Sequence, residues 1–356
     1  MKNIYLQIPL EKPDNSNLVL ATVTRTEGST PQKPGSSALF NQSGLIAGTI
    51  GGGILEGKVQ KIAQESLFSK KPGHYIFRLD NSVSEGEDAL CGGKISVLID
   101  PGLSGHIPVF EALRKSSEAR IPGVLITYIT KDDSDKMSID RYWTTDFERE
   151  LIPAELKPVI IPEISILISD SDSYDFRELK LPEQGDEPSR LLFLEPVIPP
   201  PRLIIAGAGH IGKALSQIAS MLDFEITVID DRSEFANSEN IPYANQVITG
   251  DIGNAISQVE KGNDTYIVIV TRGHKDDTDA LKACIGSGAA YIGMIGSKNK
   301  INLMCREFIS NSWATQNQWD KVFAPIGLEI KSKTVEEIAV SIAAQLVKVK
   351  NDKDYR

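Results

Sequence analysis

The chain has 356 residues, enough for two compact units at roughly 100 to 200 residues each, and its 41% hydrophobic and 24% charged content excludes a disordered or fibrous chain. The 48 acidic side chains outnumber the 38 basic ones for a net charge of −10, a balance that repels a phosphate backbone and argues against a nucleic-acid partner. No apolar run approaches the about 18 residues of a membrane span, and the start, Met1-Lys-Asn-Ile-Tyr-Leu-Gln-Ile-Pro9, has no apolar core of signal-peptide length, so the expectation is a cytoplasmic protein.

Cysteine and histidine restrict the chemistry further. Cys91, Cys284 and Cys305 have no CxxC spacing, so neither a disulfide framework nor a cysteine-built zinc site is indicated. A [2Fe-2S] cluster normally takes four cysteine ligands, and this sequence does not supply them. His74, His106, His210 and His274 lie far apart, and none belongs to an HExxH pattern. Any metal must use ligands from distant segments or arrive within a cofactor.

In chain order, the first half shows extended apolar stretches at 18–24, 36–40, 45–49, 95–99, 124–130 and 191–194, separated by Gly, Pro and Asn. Helical spacing appears at 54–68 and 107–117. Phe40 and Leu45 flank Asn41-Gln-Ser-Gly44, which reads as a hairpin with a four-residue loop. Residues 131–190 mix polar clusters with short apolar runs and read as loops and edge strands with a solvated acidic face. A mixed α+β domain over residues 1–197 follows. The seam is Glu195-Pro-Val-Ile-Pro-Pro-Pro201, whose prolines forbid helix and form a stiff connector. Over 198–356 short apolar strands at 202–206, 225–229, 246–249, 266–270 and 290–294 alternate with helices such as 211–222, the pattern of a Rossmann-like, doubly wound parallel sheet. Near the end, Thr334-Val-Glu-Glu337 has capping-box spacing ahead of the apolar stripe Ile338, Ile342, Leu346 and Val349, a structural helix.

Gly207-Ala-Gly-His-Ile-Gly212 follows a predicted strand and opens a helix, the context in which GxGxxG becomes a dinucleotide fingerprint. Gly207 permits the tight turn, Gly209 lets backbone approach a phosphate, and Gly212 brings helix close to sheet. Asp230 ends the next strand, about 20 residues on, where a carboxylate accepts from ribose hydroxyls. The alternative is a Rossmann scaffold whose nucleotide site is empty or repurposed. Further polar segments fall at the carboxyl ends of strands, where open parallel sheets bind ligands: Gly250-Asp251, Thr271–Asp277, and Gly296-Ser297-Lys298 as an anion-holding turn. There His274 and Asp277 either orient each other as acid-base or ligand groups, or His274 is a structural hydrogen-bonder.

The first half carries its own glycine loop, Gly48-Thr-Ile-Gly-Gly-Gly-Ile-Leu-Glu-Gly57, in which the backbone of Gly51, Gly52 and Gly53 can cradle an oxyanion. Glu56 reads either as a first-turn carboxylate favoured by the helix dipole or as a contact to another group. Leu90-Cys-Gly-Gly93 sets Cys91 beside two flexible glycines. It is either a soft thiolate ligand for a thiophilic centre or persulfide, or a buried inert thiol.

Seven segments in order, Ala21–Pro31, Gly48–Glu56, Cys91-Gly-Gly93, the Gly207–Gly212 loop, Thr271–Leu281, Tyr291–Lys298 and Pro325–Leu328 with Glu336–Ile342, together resemble the XdhC/CoxI family. They cover 18–101 and 199–350. The resemblance implies an accessory protein of xanthine dehydrogenase that binds the molybdenum cofactor (molybdopterin), supports exchange of an oxo for a sulfido ligand with sulfur from a cysteine desulfurase, and delivers it to xanthine dehydrogenase or a related molybdenum hydroxylase. It also implies a homodimer. The cofactor-binding residues carried over are Gly51, Gly52, Gly53, Glu56, Cys91, Gly207, Gly209, His210, Gly212, Asp230, His274, Asp277, Gly296 and Ser297, with Cys91 facing molybdenum. Two departures stand out. Gly53 replaces the Cys or Ser of the relatives' glycine loop, and Thr271-Arg-Gly-His274 lacks a histidine directly after the threonine. Two other readings stay open: an NAD(P)-dependent oxidoreductase using the GxGxxG loop and Asp230, and a dimerising scaffold that recruits a sulfurtransferase.

With three cysteines the chain cannot ligate the iron-sulfur clusters that carry electrons away from a molybdenum centre. The purified chain is therefore expected to show neither an iron-sulfur absorption spectrum nor xanthine-dependent dye reduction, and observing both would contradict the carrier reading.

Overall fold

The computed structural model describes residues 4–8, 17–79, 92–132, 134, 136–145, 152–169, 176–179, 181 and 190–352, and the chain divides into two compact units, residues 1–199 and 200–356. In the first unit, strands β1 (Val19–Glu27), β2 (Ser37–Asn41), β3 (Gly44–Gly48), β4 (Gly73–Arg78) and β5 (Lys94–Asp100) form a sheet in the order β3-β2-β1-β5-β4. All its pairs are antiparallel. Helix α1 (Gly53–Ser69) covers one face, its Leu55, Val59, Ala63 and Leu67 packed with Val19, Ala21 and Val23 of β1. Leu18 and Leu20 cluster instead with Phe110 and Leu113 of α2 (Ile107–Glu118). The period-2 alternation thus serves two cores, which is why β1 reads as one continuous apolar run.

The hairpin between β2 and β3 is tighter than its sequence suggests. Asn41 pairs with Gly44, leaving two loop residues, because the Asn41 side chain accepts from the N–H groups of Ser43 (2.8 Å) and Gly44 (3.1 Å), an Asx turn that closes the strand ends.

A second antiparallel sheet, β7-β6-β9-β8, contains β6 (Gly123–Lys131), β7 (Met137–Thr145), β8 (Arg177–Leu179) and β9 (Arg190–Val197). The strands β7 and β8 are its edges, as expected for the polar stretch 131–190, but that stretch also holds a helix the sequence did not reveal. In α3 (Lys157–Ser169), Ile160, Ile164 and Leu167 pack with Leu156 against Val124, Ile126, Leu192 and Leu194. Pro162 lies inside this helix and disguises the period. Similarly, Pro196 belongs to β9, opposite Val124, so the connector begins later than the first proline. Strand β8 pairs only as far as Leu194, leaving Pro196 at a locally unpaired edge where its missing N–H is tolerated.

The second unit is a parallel sheet in the order β12-β11-β10-β13-β14, with β10 (Arg202–Ala206), β11 (Glu225–Asp230), β12 (Gln246–Thr249), β13 (Thr265–Ile269) and β14 (Tyr291–Met294). On one face Leu203, Ile205, Val228 and Val268 pack with Leu215 and Ala219 of α4 (His210–Ala219) and Ile342 and Leu346 of α9 (Val335–Asn351). On the other, Ile204, Ala206, Ile267 and Ile269 meet Ile252 and Ile256 of α5 (Ile252–Gln258), Leu281 of α6 (His274–Lys282) and Met304 and Phe308 of α7 (Lys298–Ser310). Each fully buried Leu or Ile contributes about 1.5–3 kcal/mol, so the two-sided core dominates this unit. A short α8 (Gln316–Trp319) adds Trp319 to the second face. The capping box at α9 forms, with Glu337 N–H donating to Thr334 Oγ1 (3.3 Å) and Thr334 N–H to Glu337 Oε2 (3.1 Å).

This strand order places the reversal of winding between β10 and β13, and hence a crevice beyond their carboxyl ends. Among the described residues, no helix is long and apolar enough to cross a membrane.

Candidate ligand-binding crevice

The glycines of the β10–α4 loop divide their work. Gly207 sits at φ +117°, where a Cβ would lie 2.5 Å from the Val270 carbonyl oxygen, and a Cβ on Gly212 would collide with the Gly207 carbonyl oxygen. Both are demanded by the protein's own packing. Gly209 differs: a Cβ there meets nothing within 4 Å. As the N-cap of α4 it offers no side chain to the first amide groups of the helix, which have no intrahelical acceptor and carry the positive end of the dipole. His210, the first helical residue, is exposed beside it.

The loop is tied to the neighbouring strand. Asp230, at the end of β11 and only 2% exposed, accepts the Ala208 N–H at 2.8 Å and three donors of Arg232: the backbone N–H at 3.0 Å, Nε at 2.8 Å and Nη2 at 2.8 Å. Burial alone would raise its pKa, but these hydrogen bonds and the guanidinium charge outweigh it and hold the carboxyl at about 2.

Beyond β13, the expected pairing of His274 with Asp277 does not occur. His274 Nε2 lies 3.0 Å from Glu307 Oε2, on the exposed side of α6. Asp277 is fully buried, accepts the Thr271 hydroxyl at 2.6 Å and pairs with Lys300 Nζ. Three residues along a helix separate His274 and Asp277, and each finds a better partner on α7. Burial pushes the Asp277 carboxyl up, against the pull of Lys300 and Thr271. Ser297 caps α7, its Oγ accepting from Lys300 N–H at 3.3 Å. Gly296 precedes it, where a Cβ would press on Ile301.

The first unit gathers its own motifs. A Cβ on Gly51 would lie 2.6 Å from Pro31 Cγ, and one on Gly93 would collide with the Ser29 carbonyl oxygen, so the segments at 21–31, 48–56 and 92–93 share one neighbourhood. Gly52 and Gly53 adopt positive φ in open space. Glu56 Oε2 accepts from the Thr49 hydroxyl (2.7 Å) and the Ile50 N–H (3.0 Å), so the loop satisfies donors internally and already holds a carboxylate. Cys91 lies outside the described residues. The other two cysteines pack in the second unit. Burial drives the Cys284 thiol up to about 12, leaving it inert, and Cys305 rests against the same core.

The sequence matches two family models, XdhC and CoxI over 14–80 and the XdhC Rossmann domain over 203–346, together more than half of the chain. It belongs to the XdhC/CoxI family. Among XdhC relatives, the chain is 26% identical to a probable xanthine dehydrogenase subunit of Bacillus subtilis (strain 168), covering 98% of both proteins. It is 22% identical to YqeB of Escherichia coli (strain K12) over 98% of its own length, but spans only 47% of that protein. A crystal structure of a xanthine dehydrogenase from Bacillus halodurans superposes with a TM-score of 0.72 at 25% identity, covering 97% of this chain and 94% of the other.

Sequence reasoning missed Lys300 and the role of Arg232. Asp277 and Lys300 are far apart in the chain, and only the packing of α6 beside α7 joins them. Arg232 stands next to the expected Asp230 and Asp231, so its presence was visible while its geometry was not.

The depressed Asp230 pKa has a definite sign. Its contribution is complete above the unfolded value of about 4 and is lost as pH falls toward about 2. Asp230→Asn, which removes charge from a buried ion pair, is expected to destabilise the second unit by about 1–3 kcal/mol at neutral pH. In thermal melts across pH, the gap from wild type should close between about pH 4 and pH 2; a gap independent of pH would contradict this.

Proposed function

We propose that the chain serves the maturation of xanthine dehydrogenase or a related molybdenum hydroxylase by holding the molybdenum cofactor through its phosphate and presenting it to the target enzyme. The observation that carries this reading is Gly209, a glycine that the protein's own packing does not require, at the uncapped start of α4. Such a helix terminus favours an anion by its N–H donors and its dipole. Membership of the XdhC/CoxI family and the names of the Bacillus relatives support the choice of cofactor and target.

The donor set fits a ligand that brings its own metal. No group of three or more His, Cys, Asp or Glu side chains among the described residues could hold a metal ion, whereas backbone amides and an open glycine suit a phosphate ester. When bound, the cofactor supplies the molybdenum redox centre. In this proposal the amides at the start of α4 take the phosphate, and His210 lies at its rim. Asp230 keeps Ala208 and the loop in place. Asp277, holding Thr271 and Lys300, fixes the opposite wall. Cys91 is the proposed soft contact toward the metal or the transferred sulfur, with a cysteine desulfurase as sulfur source.

The test is activation of cofactor-free xanthine dehydrogenase by anaerobically loaded protein. Gly209→Val fills the open space with a side chain and leaves Gly207 and Gly212 untouched, so it should keep its circular dichroism spectrum while retaining cofactor at least about tenfold more weakly, the scale of one lost charge-assisted hydrogen bond. Cys91→Ala should fold and fail to activate. Full retention and activation by both variants would refute the proposal.

A further inference from the structure

A dinucleotide site presents a carboxylate at the end of its second strand so that its oxygens can accept from the hydroxyls of a ribose. Asp230 stands in that place with its acceptors already used. A carboxylate has about four lone-pair directions. Oδ1 takes the Arg232 backbone N–H and Nε, and Oδ2 takes the Ala208 N–H and Arg232 Nη2. The side-chain fork of Arg232 lies along the bidentate face of the carboxylate, the face a ribose diol would need. The guanidinium is itself held, with its carbon 4.0 Å from the centroid of the Phe235 ring.

The surroundings also speak against Arg232 receiving a ribose 2′-phosphate. Asp231 and Glu234 act on the same guanidinium. Asp231 Oδ1 is 3.8 Å from its Nε, and Asp231 Oδ2 also takes Arg272 at 3.0 Å, while Asp276 lies 3.9 Å from Arg272. Two arginines face four carboxylates, so this side of the crevice is net negative and repels a further phosphate. The Gly209 side has no such acid in the helix's first turn.

We propose that Arg232 is a specificity-determining residue: its fork on Asp230 occupies the ribose seat, so the crevice accepts a phosphate-ended ligand at Gly209 and refuses NAD(H) and NADP(H). This inference rests on the reading that the Gly209 side of the crevice is the phosphate site. It assigns Arg232 no direct contact with the cofactor.

The test titrates NAD+ and NADP+ by calorimetry into the full-length wild type, Arg232→Ala, Arg232→Lys and the double variant Arg232→Ala with Gly209→Val, each checked for folding by circular dichroism. Wild type should show no saturable binding of either nucleotide. Arg232→Ala, which frees the bidentate face, should gain NAD+ affinity by at least about tenfold, the worth of one hydrogen bond to a charged group. Arg232→Lys keeps the charge without the fork and should gain less, and it carries the test if the alanine variant unfolds. Adding Gly209→Val should abolish the gain, placing it in the crevice. Saturable binding of either nucleotide to wild type, or folded Arg232 variants that bind NAD+ no better than wild type, would overturn the proposal. Molybdopterin titrated into the same samples separates the two readings: an NAD+ gain without molybdopterin binding to wild type leaves Arg232's role standing and sinks the cofactor assignment, and the converse does the reverse.

Discussion

The second unit depends on one carboxylate. Asp230 joins the end of β11 to the Ala208 amide and to Arg232, and so fixes the loop that turns from β10 into α4. Without that tie the loop amide and a buried guanidinium would both lose their acceptor, and unpaired buried donors of this kind cost about 1–3 kcal/mol each. With it, Gly207 and Gly212 can approach backbone more closely than any Cβ allows, and Gly209 is left facing open space. A fingerprint of three glycines thus separates into two that build the turn and one that leaves room beside it.

The second strong polar feature lies in the first unit. Arg141 on β7 and Asp100 on β5 form a buried ion pair, and nearby Tyr5 donates to Glu195 at 2.6 Å, a carboxyl that burial raises to about 7. The Arg141–Asp100 pair joins the two antiparallel sheets of that unit. Buried pairs seldom add much net stability, but losing one partner is costly because it strands the other. Together with the self-satisfied Glu56 loop, these contacts give the first unit a polar interior whose donors and acceptors are largely spent on holding it together.

The sequence made the second unit legible almost strand by strand, because parallel strands buried on both faces read as short continuous apolar runs between helical periods. It was less informative for α3, where Pro162 and nearly all-round apolar character erase the stripe. The glycine loops were equally visible, since their spacing follows from backbone geometry. What could not be read was the partner of each charged side chain. Asp230 looked like a ribose acceptor until Arg232 was found on it, and His274 looked like the partner of Asp277 until α7 supplied Glu307 and Lys300 instead. Hydrogen-bond partners between helices are set by tertiary packing, which leaves no periodic trace in a sequence.

If a phosphate-ended cofactor is held at the start of α4, its binding must slow the exchange of the amides that hold it. Amide hydrogen exchange of the intact chain, measured anaerobically with and without molybdenum cofactor, reads those amides directly. Protection on binding is expected to concentrate in the segment 207–213. Measurable binding with that segment unchanged, or with protection confined to the glycine loop at 48–57, would contradict a phosphate seat at α4.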